Sequence, residues 1–143
     1  MKAGVTLIEL LLAVTVLSLL AIMGTLFYSR FLTQNIVDNT TDTIVQQLRK
    51  AQLYSSQARK SETEGWGVAF SGGKVVLYQG STYVGRNQTW DEKTDITGNL
   101  TVSAFEVNFA RMSGVPDAPE TINVTGNNDS EMISINSQGM VTR

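Results

Sequence analysis

The chain has 143 residues, of which 42% are hydrophobic and only 17% are charged, whereas about 25% are charged in a typical soluble domain. Its net charge of −2 argues against a basic surface for nucleic acid. The absence of cysteine excludes disulfides and thiolate metal sites, and the absence of histidine removes the commonest general base. We therefore predict neither an enzymatic activity nor a cofactor.

The first predicted element is a long apolar helix at the N-terminus. No residue from Leu10 to Ser29 is charged, and about 20 helical residues match the roughly 30 Å hydrocarbon thickness of a bilayer. The run is too long for a cleaved secretory signal. A plain membrane anchor would fit the length but would not explain Glu9, because an unpaired carboxylate in hydrocarbon is costly.

The stretch GVTLIELLLAVTVL resembles the N-terminus of type IV pilin-like proteins. The resemblance implies that residues 1–4 are a leader and that a prepilin peptidase cleaves between Gly4 and Val5. It further implies N-methylation of Val5 and a role for Glu9 in subunit assembly. Val5 departs from the Phe or Met that is usual in the family as the first mature residue. Residues 5–29 would then form the transmembrane and filament-core helix.

This resemblance gives Glu9 a physical role in a filament. The Glu9 carboxylate of one subunit would pair with the α-ammonium group of Val5 on a neighbour, because two opposite buried charges tolerate each other better than either alone. The implied partners are other pilin-like subunits, the peptidase, membrane lipid before assembly, and an inner-membrane platform with its motor. The implied location is the cytoplasmic (inner) membrane, crossed once, with the C-terminal domain outside, followed by an extracytoplasmic filament.

Residues 30–60 are predicted to continue the same helix as an amphipathic segment that ends near Arg59. Apolar and small residues recur there at steps of mostly three and four, which is the period of one helix face. We expect this face to pack on the C-terminal sheet. Its members are Phe31, Ile36, Thr40, Ile44, Leu48, Ala51, Ser55 and Ala58.

Residues 61–143 are predicted to form a small β-rich domain. GWGVAF and VVLYQG flank the turn SGGK and predict a hairpin. A polar connection with at most one short strand follows, and LTVSAFEVNFA then predicts a strand with a break near Ser103. ETINVTG and MISINSQGMVT predict the last strands, with a turn at Gln138 and Gly139. The predicted fold class is therefore α+β, with a long N-terminal helix packed on an antiparallel sheet, as in pilins.

Two short sequence segments near the C-terminus, called phrases below, make the resemblance more specific within the family. EVNFARMSG and ISINSQGMV resemble phrases of the H-type minor pseudopilins of type II secretion and of related minor pilins. The expected function is a structural, minor subunit of a type IV pilus-like or type II secretion pseudopilus filament. The alternative is a single-span, membrane-anchored ligand-binding or adhesion module that enters no filament. The sequence does not distinguish secretion, DNA uptake, adhesion and motility.

Two weaker signals are interpreted structurally. Acidic and amide side chains could in principle bind calcium, but their spacing matches no calcium loop, and Asn and Asp are ordinary turn residues. These side chains are Asp91, Glu92, Asp95, Asn127, Asn128 and Asp129. Trp66 is predicted to lie in the core, whereas Trp90 remains open between the core and an exposed patch.

Overall fold

The computed structural model describes residues 6–60, 63–127 and 129–143, without the side chains of residues 24–26 and 29. One helix, α1 (Leu7–Ser56), is followed by eight strands. The strands are β1 (Trp66–Ser71), β2 (Lys74–Gln79), β3 (Asn87–Asp95), β4 (Thr101–Val102), β5 (Glu106–Phe109), β6 (Glu120–Thr125), β7 (Ser130–Ile135) and β8 (Val141–Thr142). The predicted α+β class, with one long N-terminal helix and antiparallel strands, is confirmed.

The strands form two antiparallel sheets of four, in the orders β3-β2-β1-β5 and β4-β6-β7-β8. The predicted first hairpin is confirmed: β1 pairs with β2 from Trp66 opposite Gln79 to Ser71 opposite Lys74. The predicted break near Ser103 is also present, because β4 and β5 are separate strands. The structure adds that they belong to different sheets, so the chain passes from one sheet to the other between Ser103 and Phe105.

The C-terminal half of α1 supplies one wall of the core. Ile44, Leu48 and Ala51 are fully buried, as predicted, and the helix contacts strands of both sheets. The buried face is wider than predicted, since Val37, Thr41 and Val45 also lie inside. The predicted member Phe31 is exposed, because the packed part of the helix begins only near residue 33.

The helix ends earlier than predicted, and its last turn is hydrogen-bonded to β1. Ser55 is fully buried, and its Oγ accepts a hydrogen bond from the backbone N–H of Trp66 at 2.7 Å. The Ser55 carbonyl accepts a further bond from Met112 N–H at 2.7 Å. Ala58 has a positive φ of 48°, which is outside the right-handed helical region, so Ser56 is the last helical residue. A turn over residues 57–60 replaces the helix predicted to reach Arg59.

Arg143 ties the last strand back to α1. Its guanidinium forms ion pairs with Asp38 and Asp42 on the helix and with Glu131 on β7. Partial burial raises the pKa of Glu131, but its hydrogen bond and ion pair with Arg143 help to hold that pKa below its ordinary value. The nearby Glu131 carboxyl group raises the pKa of Asp38. One guanidinium thus bridges helix and sheet through three carboxylates.

The prediction about the membrane is corrected. Among the residues that the structure describes, no helix has both the length and the apolar character needed to cross a bilayer. The predicted location as a single-pass protein of the cytoplasmic membrane is therefore wrong.

Candidate functional site

The candidate site is the N-terminal half of α1, which extends beyond the packed domain. The segment from Leu7 to Leu32 is 26 residues long, or about 39 Å at 1.5 Å per residue. Its large apolar side chains are 44% to 82% exposed wherever they are described. They are Leu7, Ile8, Leu10, Leu11, Leu12, Val14, Val16, Leu17, Leu19, Leu20, Ile22, Met23, Phe27, Tyr28, Phe31 and Leu32. Contiguous apolar surface of this extent is typical of an interaction site.

Two of the polar side chains within this surface, Thr15 and Ser18, are compatible with a dry interface. The hydroxyl of Thr15 donates to the carbonyl of Leu12, and that of Ser18 donates to the carbonyl of Val14, both at 2.8 Å. Because these hydroxyls are satisfied within their own helix, they require no water or partner when the surface is covered.

Glu9 is exposed in the first turn of α1. The Oγ1 of the N-cap residue Thr6 accepts a hydrogen bond from the backbone N–H of Glu9 at 3.3 Å. Thr6 and Glu9 have the T-x-x-E spacing of a capping box, and an acidic side chain near a helix N-terminus is stabilising. This local role was missed in the sequence analysis, although the spacing shows it. The bond itself uses only the backbone of Glu9, but the place of its carboxylate in the first turn is a structural reason for an acidic residue here that is independent of assembly.

Charge is otherwise scarce along this half of the helix. Glu9 and Arg30 are the two charged residues between Thr6 and Val37. Within the part of the chain that is described, none of the ion pairs includes Glu9. The predicted cleavage and methylation positions, Gly4 and Val5, lie outside the described residues, so these two predictions stay predictions.

A second cluster covers the outer face of the first sheet. Tyr78 is fully buried, and its hydroxyl lies 3.2 Å from Oε1 of Glu106. Burial and then the nearby Glu106 charge raise the pKa of Tyr78 well above its ordinary value. The ring of Tyr83 packs edge-on against Tyr78 at 5.6 Å, and the Arg86 guanidinium lies 3.8 Å from the Tyr83 ring centroid. The loop between β2 and β3 thereby closes this face, and the cluster serves packing.

The carboxylates considered for calcium on β3 have separate cationic partners. Asp91 pairs with Arg86 at 3.0 Å, Glu92 pairs with Lys50, and Asp95 pairs with Lys74 at 2.5 Å. Across residues 6–60, 63–127 and 129–143, no group of three or more acidic side chains is close enough to hold a metal ion. Of the other candidates, Asp129 accepts a bond from Ser130 N–H at 3.0 Å, and Asn128 lies outside the described residues.

The two tryptophans differ in environment. Trp66 is 2% exposed, as predicted for a core residue, and its indole N–H donates to the carbonyl of Arg59 at 2.8 Å. Trp90 is half-buried, and the Lys60 ammonium lies 4.0 Å from its ring centroid. Trp90 therefore packs at the border of the core beneath a cation.

Comparison of the chain with protein-family models, with curated proteins and with solved structures gave no match. The function is therefore inferred from the N-terminal motif and from the exposed apolar half of α1.

Proposed function

We propose that the chain is a structural subunit of a pilin-like filament, of the type IV pilus or type II secretion pseudopilus kind, assembled through the N-terminal half of α1. The observation that carries the proposal is the exposed apolar surface from Leu7 to Leu32 on a helix whose other half is built into the core of an α+β domain. This division gives one element two tasks, since the same helix holds the domain and offers an assembly surface.

The energetics favour burial of this surface against like helices. Fully burying a Leu, Val, Ile, Phe or Met side chain contributes about 1.5–3 kcal/mol. Burial of five such side chains in each subunit would contribute on the order of 10 kcal/mol, which is comparable to the stability of a whole domain. Neighbouring helices of other subunits supply the apolar surroundings, and the satisfied hydroxyls of Thr15 and Ser18 add no desolvation cost.

In the proposed filament, Glu9 fixes the position of each helix relative to its neighbour along the filament. A carboxylate that is buried without a partner costs several kcal/mol, whereas a paired one is tolerated. Cleavage by a prepilin peptidase between Gly4 and Val5 would create an α-ammonium group four residues before Glu9, and methylation would follow on Val5. The ammonium of one subunit would then neutralise Glu9 of its neighbour, so correct docking is favoured over displaced docking.

The C-terminal phrases support a minor subunit. EVNF of the first phrase is β5, and ISI and Val141 of the second lie in β7 and β8. The phrases that resemble minor pseudopilins therefore fall on strands of the domain.

The proposal is tested by assembly together with a prepilin peptidase and the major subunit of a host filament. We expect mass spectrometry to find Val5 as the first residue of the mature chain, and electron microscopy with immunolabelling to find the subunit in filaments. Glu9→Gln should be cleaved but incorporated at least 10-fold less, because the neutral amide cannot pair with the ammonium. Glu120→Gln is the matched control and removes one negative charge from β6.

An intact N-terminus would refute the family assignment. Normal incorporation of Glu9→Gln would refute the pairing and leave the position in the first turn of α1 as the explanation of Glu9. Cleavage failure together with absence from filaments would favour the alternative of a binding module that enters no filament.

A further inference from the structure

The two charges of the N-terminal half-helix have a specific spacing. Glu9 and Arg30 are 21 residues apart, which is three heptads. At 100° per residue they lie within about 60° of one another around the helix axis. Both therefore belong to one side of α1, near the two ends of its exposed apolar surface.

The side that carries these two charges is apolar between them. Leu12, Val16, Leu19 and Met23 follow Glu9 at steps of three, four, three and four, the spacing of a coiled-coil seam. Their side chains are 62%, 47%, 63% and 56% exposed, respectively. Beside Arg30, the side chains of Phe27, Phe31 and Gln34 line a shallow groove.

We propose that two copies of the chain pair as an antiparallel helical dimer through residues 7–32. In this arrangement Glu9 of each copy lies within about one turn of Arg30 of the other, so one symmetric interface forms two opposite-charge pairs. A parallel, in-register pair would instead place Glu9 against Glu9 and Arg30 against Arg30, which is unfavourable. The charge pattern thus favours binding of a second copy of the chain in the opposite orientation.

The lengths also fit this arrangement. An axis that relates Glu9 to Arg30 also relates Leu7 to Leu32, so the apolar segments overlap over their full length of about 39 Å. The packed part of each helix begins near residue 33, which places the two domains at opposite ends of the pair. The groove beside Arg30 accepts the partner's first helical turn, including its Glu9.

The dimer goes beyond the proposed filament and does not depend on it. In a filament the N-terminal helices of neighbouring subunits would be parallel. The antiparallel dimer would therefore have to dissociate before its two subunits enter a filament. The dimer covers the same surface without Val5 or cleavage, and it can therefore be tested on the uncleaved chain.

The first experiment uses cysteine cross-linking in the full chain, which contains no natural cysteine. In the antiparallel pair Val16 of one copy faces Met23 of the other. An oxidised mixture of Val16→Cys and Met23→Cys chains should therefore give the mixed disulfide, and each variant alone should give at least 10-fold less. A Val16→Cys homodimer as the main product would show parallel pairing and overturn the proposal. A monomer in all mixtures would also overturn it.

The second experiment reverses the charges. Sedimentation equilibrium should give a dimer dissociation constant that rises about 10-fold or more in Glu9→Lys and in Arg30→Glu, because each change replaces two attractive pairs by two repulsive ones. The double variant Glu9→Lys/Arg30→Glu should restore the constant, and the control Glu120→Lys should leave it unchanged. No change in either single variant, or no rescue in the double variant, would refute the charge argument. Filament incorporation is measured separately, so either proposal can fail while the other stands.

Discussion

Ser55→Ala is expected to lower the free energy of unfolding by about 2 kcal/mol, because it removes a buried hydrogen-bond acceptor between α1 and β1. Ser55 is fully buried, and its Oγ accepts from the backbone N–H of Trp66 at 2.7 Å. An unsatisfied buried N–H costs about 1–3 kcal/mol. The gain of up to about 0.5 kcal/mol in helix propensity offsets only part of that cost.

Ser56→Ala is the matched control. Ser56 is the neighbouring helical residue, is exposed, and donates only to the carbonyl of Leu53 at 2.9 Å. It receives the same gain in helix propensity, so the difference between the two variants isolates the contact with Trp66. We expect Ser56→Ala to stay within about 0.5 kcal/mol of the unchanged chain.

The assay is urea unfolding followed by circular dichroism and by tryptophan fluorescence. With a denaturant slope of about 2 kcal/mol per M, the midpoint of Ser55→Ala should lie about 1 M below that of Ser56→Ala. Equal midpoints for the two variants would refute the argument that this hydroxyl fastens the end of the helix to the first sheet.

Three further predictions follow from described contacts. Burial raises the pKa of Tyr78, so above a pH of about 10 this tyrosine ionises in the unfolded chain before it ionises in the folded one. The free energy of unfolding should therefore fall by up to about 1.4 kcal/mol per pH unit. Urea titrations at several pH values should show a smaller slope in Tyr78→Phe. Gly139→Ala should lower the melting temperature more than Gly72→Ala, because both have positive φ but only the first would bring a Cβ to 2.9 Å from the carbonyl oxygen of Gly114. Arg143→Gln should lower the urea midpoint at low salt and much less at about 1 M NaCl, where the exposed ion pairs are screened in both proteins.

The sequence predicted the elements whose side chains alternate or recur with a clear period. The hairpin of β1 and β2, the buried residues Ile122 and Val124 of β6, and the helical face around Ile44 and Leu48 all follow this rule. In each case the apolar residues recur with the period of a strand or a helix, so the pattern identifies which side of the element is buried.

The strand β3 was underestimated for the opposite reason. Its sequence NQTWDEKTD contains one apolar residue, Trp90, so no alternation indicates a nine-residue strand. Its conformation is set by pairing with β2, from Lys74 opposite Asp95 to Leu77 opposite Glu92. Pairing with a distant strand is a tertiary effect that a local pattern does not contain.

The candidate site was found in part. The motif led to Glu9 and to the apolar run, but a continuous apolar sequence has no period that tells which side of a helix is covered or by what. The capping bond from Glu9 N–H to Thr6 was missed although its spacing is visible. The ion pairs of Arg143 with Asp42 and Asp38 join residues that are 101 and 105 positions apart, and no local signal predicts them.

The polar strand β3 has a consequence for aggregation. It forms one edge of its sheet, where unpaired backbone groups can recruit a strand from another molecule. Asp91, Glu92, Lys93 and Asp95 place four charged side chains along this edge, and charged edges resist such recruitment. The molecule therefore combines an exposed apolar helix with a charged sheet edge at β3 that resists the addition of strands and amyloid-like stacking.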